Sequence, residues 1–259
     1  MATTLFPTLA GWVVGFLVGM TGMGGGALMT PFLILIMKLD PVMAVGTDLV
    51  FAAVTKISGT IQHRREENVE IKSVLWMALG SLPASWLGAR LILGQAGNLY
   101  MTERVLPGVL GSILIIVSLV VLARTAGLLG SREQADVRRP HPAALAAIGA
   151  IGGFLVGISS VGGGTVIMAL LLIFFSIPLH LMVGLDVAHG AILTTVPAAT
   201  YALAGQTDWA LVGWLLLGSI PGVWMGAYSV NRIDRRIVRG VLGVLILGAG
   251  VYMFFSQFP

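Results

Sequence analysis

The chain contains two copies of one sequence pattern, and this duplication limits its fold more than any other feature. A shift of 138 residues, from Gly15 to Gly153, superposes two identical Gly-Phe-Leu-Val-Gly segments. In the same register the triple glycine at 24–26 meets the triple glycine at 162–164. Later motifs also pair without a gap: Val45-Gly46-x-Asp48 with Val183-Gly184-x-Asp186, and Gly80-Ser81-x-Pro83 with Gly218-Ser219-x-Pro221. Such agreement indicates a tandem duplication, so the chain is expected to fold as two related halves.

The duplication divides the chain into three parts. We predict a first transmembrane repeat at 1–123 and a second transmembrane repeat at 142–259. Between them, 124–141 is the longest polar stretch and contains four arginines. This segment is predicted to be a cytoplasmic linker.

Charged residues are too few for a soluble protein of this length. They make up 10% of the 259 residues, whereas soluble domains contain about 25%. Hydrophobic residues make up 57%. Because so few charges cannot cover the surface of a soluble globule, we predict an all-α integral membrane protein with the lipid bilayer as its surroundings.

Composition also excludes several kinds of chemistry. The chain has no cysteine, which rules out disulfides, thiolate metal sites, iron–sulfur clusters and cysteine nucleophiles. No metal-binding spacing, cofactor fingerprint or phosphate-binding Walker loop is present, so neither a metal nor a cofactor is predicted. The net charge of +4 suits the cytoplasmic faces of a membrane protein and predicts no nucleic-acid partner.

Two charge-free runs are too long for single straight spans. Met1–Met37 and Pro140–Leu185 contain no Asp, Glu, Lys or Arg. A helix of 37 residues would extend about 55 Å, whereas the hydrocarbon core is about 30 Å thick. Each run has its triple glycine near the middle, where a helix can bend or reverse. The six other spans are predicted at 41–62, 73–89, 105–123, 187–207, 209–231 and 240–259.

The distribution of Lys and Arg distinguishes a kinked crossing from a hairpin. With kinked crossings the two membrane faces carry seven basic residues each, which defines no orientation. With hairpins, the loops at 63–72, 124–141 and 229–239 share one face and hold eleven, against three on the other. Because cytoplasmic loops are enriched in Lys and Arg, we predict hairpins, with both termini on the periplasmic side. Each repeat then comprises a Gly-broken helical hairpin and three transmembrane helices, and the two repeats are inverted.

The hairpin tips are the predicted substrate site. Tips that enter from opposite faces meet near the midplane, where irregular backbone needs protein or a polar cavity around it. The half-helices that follow them, 27–37 and 165–175, begin with free N–H groups and a positive dipole end that favour anions. The predicted substrate-binding residues at the tips are glycines and hydroxyl residues: Thr21, Gly24, Gly25, Gly26, Ser159, Ser160, Gly162, Gly163, Gly164 and Thr165.

Close helix packing is the alternative role for a glycine here. Two sets recur every four residues on one helix face and are predicted to be helix contacts: Gly11, Gly15 and Gly19, and Gly149, Gly153 and Gly157. Three consecutive glycines are unfavourable inside a packed helix, which favours a site role for the triplets.

Ionisable residues inside spans are costly and are functional candidates. Asp48 and Asp186 occupy equivalent positions about 10 Å inside their helices, and a coupling role and a structural role both remain open. Lys56, opposite Thr194 in the second repeat, either neutralises an anionic substrate or extends to the cytoplasmic surface. His189 lies one helical turn after Asp186, as part of a proton relay or as a hydrogen-bonded buried histidine.

The glycine motifs resemble those of the TauE/SafE (sulfite exporter) family over nearly the whole chain. The matching pieces are Gly15-x3-Gly19-x2-Gly22-x-Gly24-Gly25-Gly26 with Pro31, Ala44-Val45-Gly46-Thr47, and Gly80-Ser81-x6-Gly88-Ala89, with their second-half copies. Where the family pattern usually has a serine after Gly-Thr, this chain has Asp48. The resemblance implies a bacterial inner-membrane exporter of sulfur-containing anions, such as sulfite or short organosulfonates like sulfoacetate.

The sequence is compatible with three functions. The preferred one is a secondary exporter, without enzymatic activity, in which one inverted half rocks against the other. Export of an anion from a negative interior is favoured by about 2.3 kcal/mol per charge per 100 mV of membrane potential. Export can therefore proceed without nucleotide hydrolysis. An anion channel on the same hairpins is the second function, and a membrane enzyme using Asp186 and His189 is the third. A homodimer is compatible with the abundant glycine-rich faces.

Overall fold

The computed structural model of the chain is a bundle of α-helices. It describes residues 2–21, 26–63, 71–128, 141–161, 163–164, 166–167, 170–171, 179–229 and 235–256. The first half contains α1 (Ala2–Thr21), α2 (Gly26–Leu35), α3 (Pro41–His63), α4 (Ile71–Gly94) and a π-helical turn (Met101–Val105) that leads into α5 (Leu106–Thr125). The second half contains α6 (Pro142–Ser159), α7 (Leu179–Leu203), α8 (Trp209–Ser229) and α9 (Arg235–Phe255). Within these described ranges there is no strand, and the all-α prediction is confirmed.

Several of these helices have the length and composition of membrane spans. Four are both long and apolar enough to cross a bilayer: Pro41–Ser58, Met101–Ala123, Pro142–Ser159 and Trp209–Gly226. Large apolar side chains also lie exposed on the outside of the bundle, among them Leu79 on α4, Ile116 on α5 and Leu217 on α8. Exposed apolar surface of this extent suits contact with lipid rather than water. The chain is therefore a multi-pass integral membrane protein.

The first long apolar run forms a hairpin. α1 ends at Thr21 and α2 begins at Gly26, so the break falls at the triple glycine. The rings of Phe6, early in α1, and Phe32, late in α2, lie 5.8 Å apart between centroids. A continuous helix would separate these rings by about 39 Å, because each residue advances the helix by about 1.5 Å. α2 therefore returns alongside α1.

The second long run is interrupted at the corresponding place. α6 ends at Ser159, and Ser160 adopts a left-handed conformation with φ of 59°. The half-helix predicted at 165–175 falls largely outside the described residues. Residues 129–140, most of the predicted linker, also lie outside them, and α5 continues through Arg124 to Thr125.

Glycine seams join helices of opposite halves. A Cβ atom added to Gly15 of α1 would lie 2.5 Å from the Ser219 carbonyl oxygen of α8. A Cβ atom added to Gly153 of α6 would lie 2.4 Å from the Ser81 carbonyl oxygen of α4. Each pair runs parallel, and only glycine permits so close an approach of two backbones. The predicted packing role is confirmed by such contacts at Gly11, Gly15, Gly149, Gly153 and Gly157.

Equivalent helices of the two halves also pack against each other. Gly46, early in α3, lies against Gln206, just beyond the end of α7, whereas Lys56 further along α3 lies against Gly190. α3 and α7 therefore run antiparallel at the centre of the bundle. α5 and α9 are antiparallel as well, since Gly111 lies against Phe254 and Gly243 against Leu122.

Candidate functional site

The tips of the two broken helices touch each other. Gly26 is the first residue of α2, and a Cβ atom added there would lie 2.3 Å from the Ser160 carbonyl oxygen. The same atom would lie 3.1 Å from Ser160 Oγ. Backbone from one half therefore meets backbone and a hydroxyl from the other half at this point.

Two consecutive serines shape the second tip in different ways. The Ser159 hydroxyl donates to the Leu155 carbonyl oxygen at 2.7 Å and accepts from the Val161 N–H at 3.1 Å, which holds the turn. Ser160 caps α6 through its own N–H, which donates to the Val156 carbonyl oxygen at 2.8 Å. Ser160 Oγ is buried and faces the Asp48 carboxyl group of α3. Ser159 thus supports the backbone, and Ser160 presents a hydroxyl to the site.

Asp48 lies buried beside the two tips. The Thr30 hydroxyl of α2 donates to Asp48 Oδ2 at 2.5 Å. Ser160 lies next to the same carboxyl group, and Lys56 is close enough to act on it electrostatically. The other oxygen, Asp48 Oδ1, is buried without a hydrogen-bond partner among the residues that the structure describes. One carboxyl group therefore connects α2, α3 and the tip of α6.

The Lys56 ammonium lies inside the bundle. The residue is 8% exposed, so its side chain does not extend along the surface to water. A Cβ atom added to Gly163 would lie 3.1 Å from Lys56 Nζ, and one added to Gly190 would lie 2.9 Å from it. The cation thus occupies space that two glycines leave open, one in the second tip and one on α7. Of the two roles open to Lys56, this position favours charge compensation within the site.

His189 belongs to a second set of polar contacts around the central pair of helices. Its Nε2 atom lies 2.8 Å from Ser81 Oγ of α4, and the ring is fully buried. At the repeat-related position, Ser219 of α8 shares a hydrogen bond of 3.0 Å with Thr55 of α3. Both serines therefore link an outer helix to the antiparallel pair α3 and α7.

The remaining predicted site residues are only partly described. Thr21 closes α1 and Asp186 lies within α7, but the side chains of both lie outside the described atoms. Gly164 is buried in the second tip. The predicted residues outside the described ranges are Gly24, Gly25, Gly162 and Thr165.

Three contributors to the site are absent from the sequence-based set: Thr30, Ser81 and Gly190. Ser81 belongs to a duplicated motif, which marked it as structurally important without indicating its partner. The signal for Thr30 in the sequence is its hydroxyl group, which lies in an otherwise apolar half-helix. Gly190 carried no signal, because its counterpart in the first repeat is Ala52.

The space at Gly190 leads to a first prediction. We expect Gly190→Ala to lower the melting temperature, because the new methyl group would lie 2.9 Å from the buried Lys56 ammonium and displaces it. Thermal unfolding in detergent measures the effect. Gly213→Ala is the matched control, since nothing lies within 4 Å of a Cβ at that position. A Gly190→Ala variant as heat-stable as Gly213→Ala would contradict this role of the glycine.

The backbone of Ser160 leads to a second prediction. A residue other than glycine in a left-handed conformation costs on the order of 1 kcal/mol. We expect Ser160→Gly to be more heat-stable than Ser160→Ala, because both lose the hydroxyl but only glycine relieves the strain at φ of 59°. Thermal unfolding in detergent compares the two. An alanine variant as stable as the glycine variant would contradict the left-handed tip.

Comparisons with known proteins agree with this architecture. The family described as sulfite exporter TauE/SafE matches residues 8–253. A relative from Bacillus subtilis, probable membrane transporter protein YjnA, is 34% identical over 246 residues and covers 94% of this chain and 96% of its own. A second relative from the same organism, YdhB, is 26% identical, and one from Methanocaldococcus jannaschii, MJ0441, is 22% identical. The match to YdhB covers 94% of this chain and 97% of YdhB, and the match to MJ0441 covers 95% of this chain and 93% of MJ0441. Both relatives are named probable membrane transporter proteins.

No solved structure matches the chain at a significant level. The family match covers almost all of the sequence, including both glycine tips, α3 with Asp48 and Lys56, and the two seams. The chain is a membrane transporter protein that belongs to the sulfite exporter TauE/SafE family.

Proposed function

We propose that this transporter is a secondary exporter of small sulfur-containing anions, namely sulfite or short organosulfonates such as sulfoacetate, and that it works by alternating access. The observation that carries the proposal is the buried Lys56 ammonium beside the second glycine tip. An anion bound at the second tip lies beside this cation and is attracted to it.

The chemistry around Lys56 suits an oxyanion. Sulfonate and sulfite oxygens accept hydrogen bonds, and Ser160 Oγ is a buried hydroxyl donor at the second tip. The N-terminal turn of α2 begins at Gly26, so its free N–H groups add donors and a favourable dipole at the same place. The anion is therefore expected to bind between Lys56, Ser160 and the start of α2.

The packing of equivalent helices supports a pair of inverted repeats, an arrangement that suits alternating access. Two pairs of equivalent helices, α3 with α7 and α5 with α9, pack antiparallel, as a two-fold axis in the membrane plane requires. The glycine seams agree with the same two-fold axis. α1 contacts α8, and the helices equivalent to them in the other half, α6 and α4, contact each other. Asp48, Lys56 and Ser160 are all buried, so a solute reaches them only after helices move apart.

The remaining parts of the proposal concern the substrate and the membrane. The sulfur anion rests on the description of the family, since the names of the relatives specify only transport. The bias of basic residues toward three loops supports a bacterial inner-membrane protein with both termini in the periplasm. Cysteine labelling from the periplasmic side at each terminus checks that orientation.

Uptake into inside-out membrane vesicles tests the function. Vesicles from cells that overproduce the protein are incubated with radiolabelled sulfite and with labelled sulfonates of one to three carbons. The proposal expects saturable uptake of at least one of them, above that of vesicles without the protein. Absence of saturable uptake for sulfite and for every sulfonate would contradict it.

A further inference from the structure

The contacts between α3 and α8 change in kind along the two helices. Where both helices begin, the Asp208 backbone N–H donates to Thr47 Oγ1 at 3.0 Å. Further along, Thr55 of α3 still lies against Ser219 of α8. The residue numbers rise together on both helices, so α3 and α8 run parallel and side by side. Their two ends can therefore be compared contact by contact.

At the first end, the loop between α7 and α8 is docked on the backbone of α3. A Cβ atom added to Gly46 would overlap the Gln206 carbonyl oxygen and would lie 3.0 Å from Tyr201 Cβ. Only glycine leaves room for this approach. Thr47, the next residue, is fully buried. Both residues belong to the duplicated motif that begins at Ala44, so the structure gives this motif a role in docking the loop.

The docked loop is short and internally hydrogen-bonded. Only residues 204–208 connect α7 with α8. The Gln206 N–H donates to the Tyr201 carbonyl oxygen at 3.0 Å. Asp208 Oδ1 accepts from the Leu211 N–H at 2.9 Å and so caps the start of α8. The end of α7, the loop and the start of α8 therefore form one unit, which is fixed to α3 through backbone.

At the other end, side chains make the contacts between α3 and α8. Thr55 and Ser219 share a single hydrogen bond of 3.0 Å between their hydroxyl groups. Trp224 Nε1 donates to Ser58 Oγ at 3.3 Å. Side chains exchange such bonds for bonds to water when two helices separate, at small net cost. The docked backbone at the first end separates only if the whole loop moves.

We propose that the contact between Gly46 and Gln206 is a hinge, about which α3 and α8 move apart at the end that contains Thr55. A hinge needs only a few residues at the ends of elements. Thr55 lies about 14 Å along the helix from Gly46, so a tilt of about 15° moves it by about 3.5 Å. Lys56 follows Thr55 directly, so this movement opens a route toward the tips. The inference rests on the alternating access of the proposed function, but not on the identity of the anion.

Cysteine labelling compares the two ends, and the chain has no cysteine of its own. Thr55 is 2% exposed and Thr207, in the docked loop, is 7% exposed, so burial alone predicts faster reaction at position 207. The hinge predicts the reverse order. Thr55→Cys is expected to react with N-ethylmaleimide at least tenfold faster than Thr207→Cys, each rate being divided by that of the same variant in denaturant. Equal rates, or faster reaction at position 207, would overturn the hinge.

Locking the opening end tests its part in transport. Thr55→Cys combined with Ser219→Cys replaces two hydroxyl groups that lie 3.0 Å apart, which suits a disulfide. The oxidised protein in proteoliposomes is expected to lose transport of isethionate, a two-carbon hydroxysulfonate, and dithiothreitol added to the same vesicles restores it. Transport that is as fast in the oxidised as in the reduced protein would overturn opening at this end.

Failure of the hinge and failure of the proposed function give different results. The labelling rates need no substrate, so they report on the hinge whatever the protein transports. If the reduced protein transports no sulfur-containing anion while Thr55→Cys reacts tenfold faster than Thr207→Cys, the substrate is wrong and the hinge is supported.

Discussion

Lys56→Met is expected to weaken the binding of a small sulfonate by about 100-fold, which corresponds to about 2.8 kcal/mol at about 1.4 kcal/mol per factor of ten. Methionine keeps a similar length and an apolar stem but removes the ammonium that lies beside Gly163 and Gly190. The anion then enters a buried site that still contains Asp48 and no longer contains its fixed cation. Titration calorimetry on purified protein measures the loss.

Lys72→Met is the matched control for this variant. Lys72 lies exposed in the first turn of α4, so its removal changes the net charge equally without touching the tips. Its affinity for the sulfonate should equal that of the unmodified protein. If Lys56→Met folds with a normal melting temperature and still binds the anion normally, the placement of the anion at Lys56 is wrong.

Gly153→Ala is expected to destabilise the protein strongly, because the new Cβ would lie 2.4 Å from the Ser81 carbonyl oxygen. That atom belongs to backbone, so the α4–α6 seam has to open rather than let a side chain turn aside. Overpacking a close contact costs typically about 1–3 kcal/mol and occasionally more. The shifted α4 also moves Ser81 away from His189. Thermal unfolding in detergent measures the destabilisation.

Gly213→Ala is again the control, since this helical glycine has open space where a Cβ would lie. It should leave the melting temperature unchanged or raise it, because alanine favours helix by about 1 kcal/mol over glycine. Equal melting temperatures for Gly153→Ala and Gly213→Ala would show that the seam is not a backbone contact.

The seams also bear on how the transporter moves. Rocking of one whole half against the other, as the sequence suggested, would open both α1–α8 and α4–α6, whose backbones are in direct contact. We expect the moving bodies instead to combine helices of both halves, with each seam kept closed. The hydrogen bonds from Ser81 and Ser219 to the central helices then lie where these bodies meet.

Much of the fold follows from the sequence because its two strongest signals are physical. A run of 37 residues without charge exceeds the thickness of a bilayer, and the triple glycine marks where the run turns back. Glycines every four residues on α1 and α6 predicted close contacts. They did not indicate the partner helices, because any small-residue face satisfies the same packing requirement. That each partner comes from the opposite half emerged only from the structure.

The site was predictable in its backbone and less so in its side chains. The positions of the tips could be predicted from the triple glycines. The orientation of the Lys56 side chain could not, because it depends on whether space exists inside the bundle. That space is provided by Gly190, which is distant in sequence and is not repeated in the first half. The Thr30 contact to Asp48 likewise depends on how far α2 returns along α1, which residue patterns do not specify.

Counterflow of a labelled sulfonate in proteoliposomes tests the central claim most directly. The purified protein is reconstituted in vesicles preloaded with unlabelled isethionate, and labelled isethionate is added outside at low concentration. A transporter with alternating access predicts a transient accumulation of label above equilibrium, and Lys56→Met abolishes it. Label that equilibrates without an overshoot, or never enters faster than in protein-free vesicles, would contradict a carrier of sulfur-containing anions.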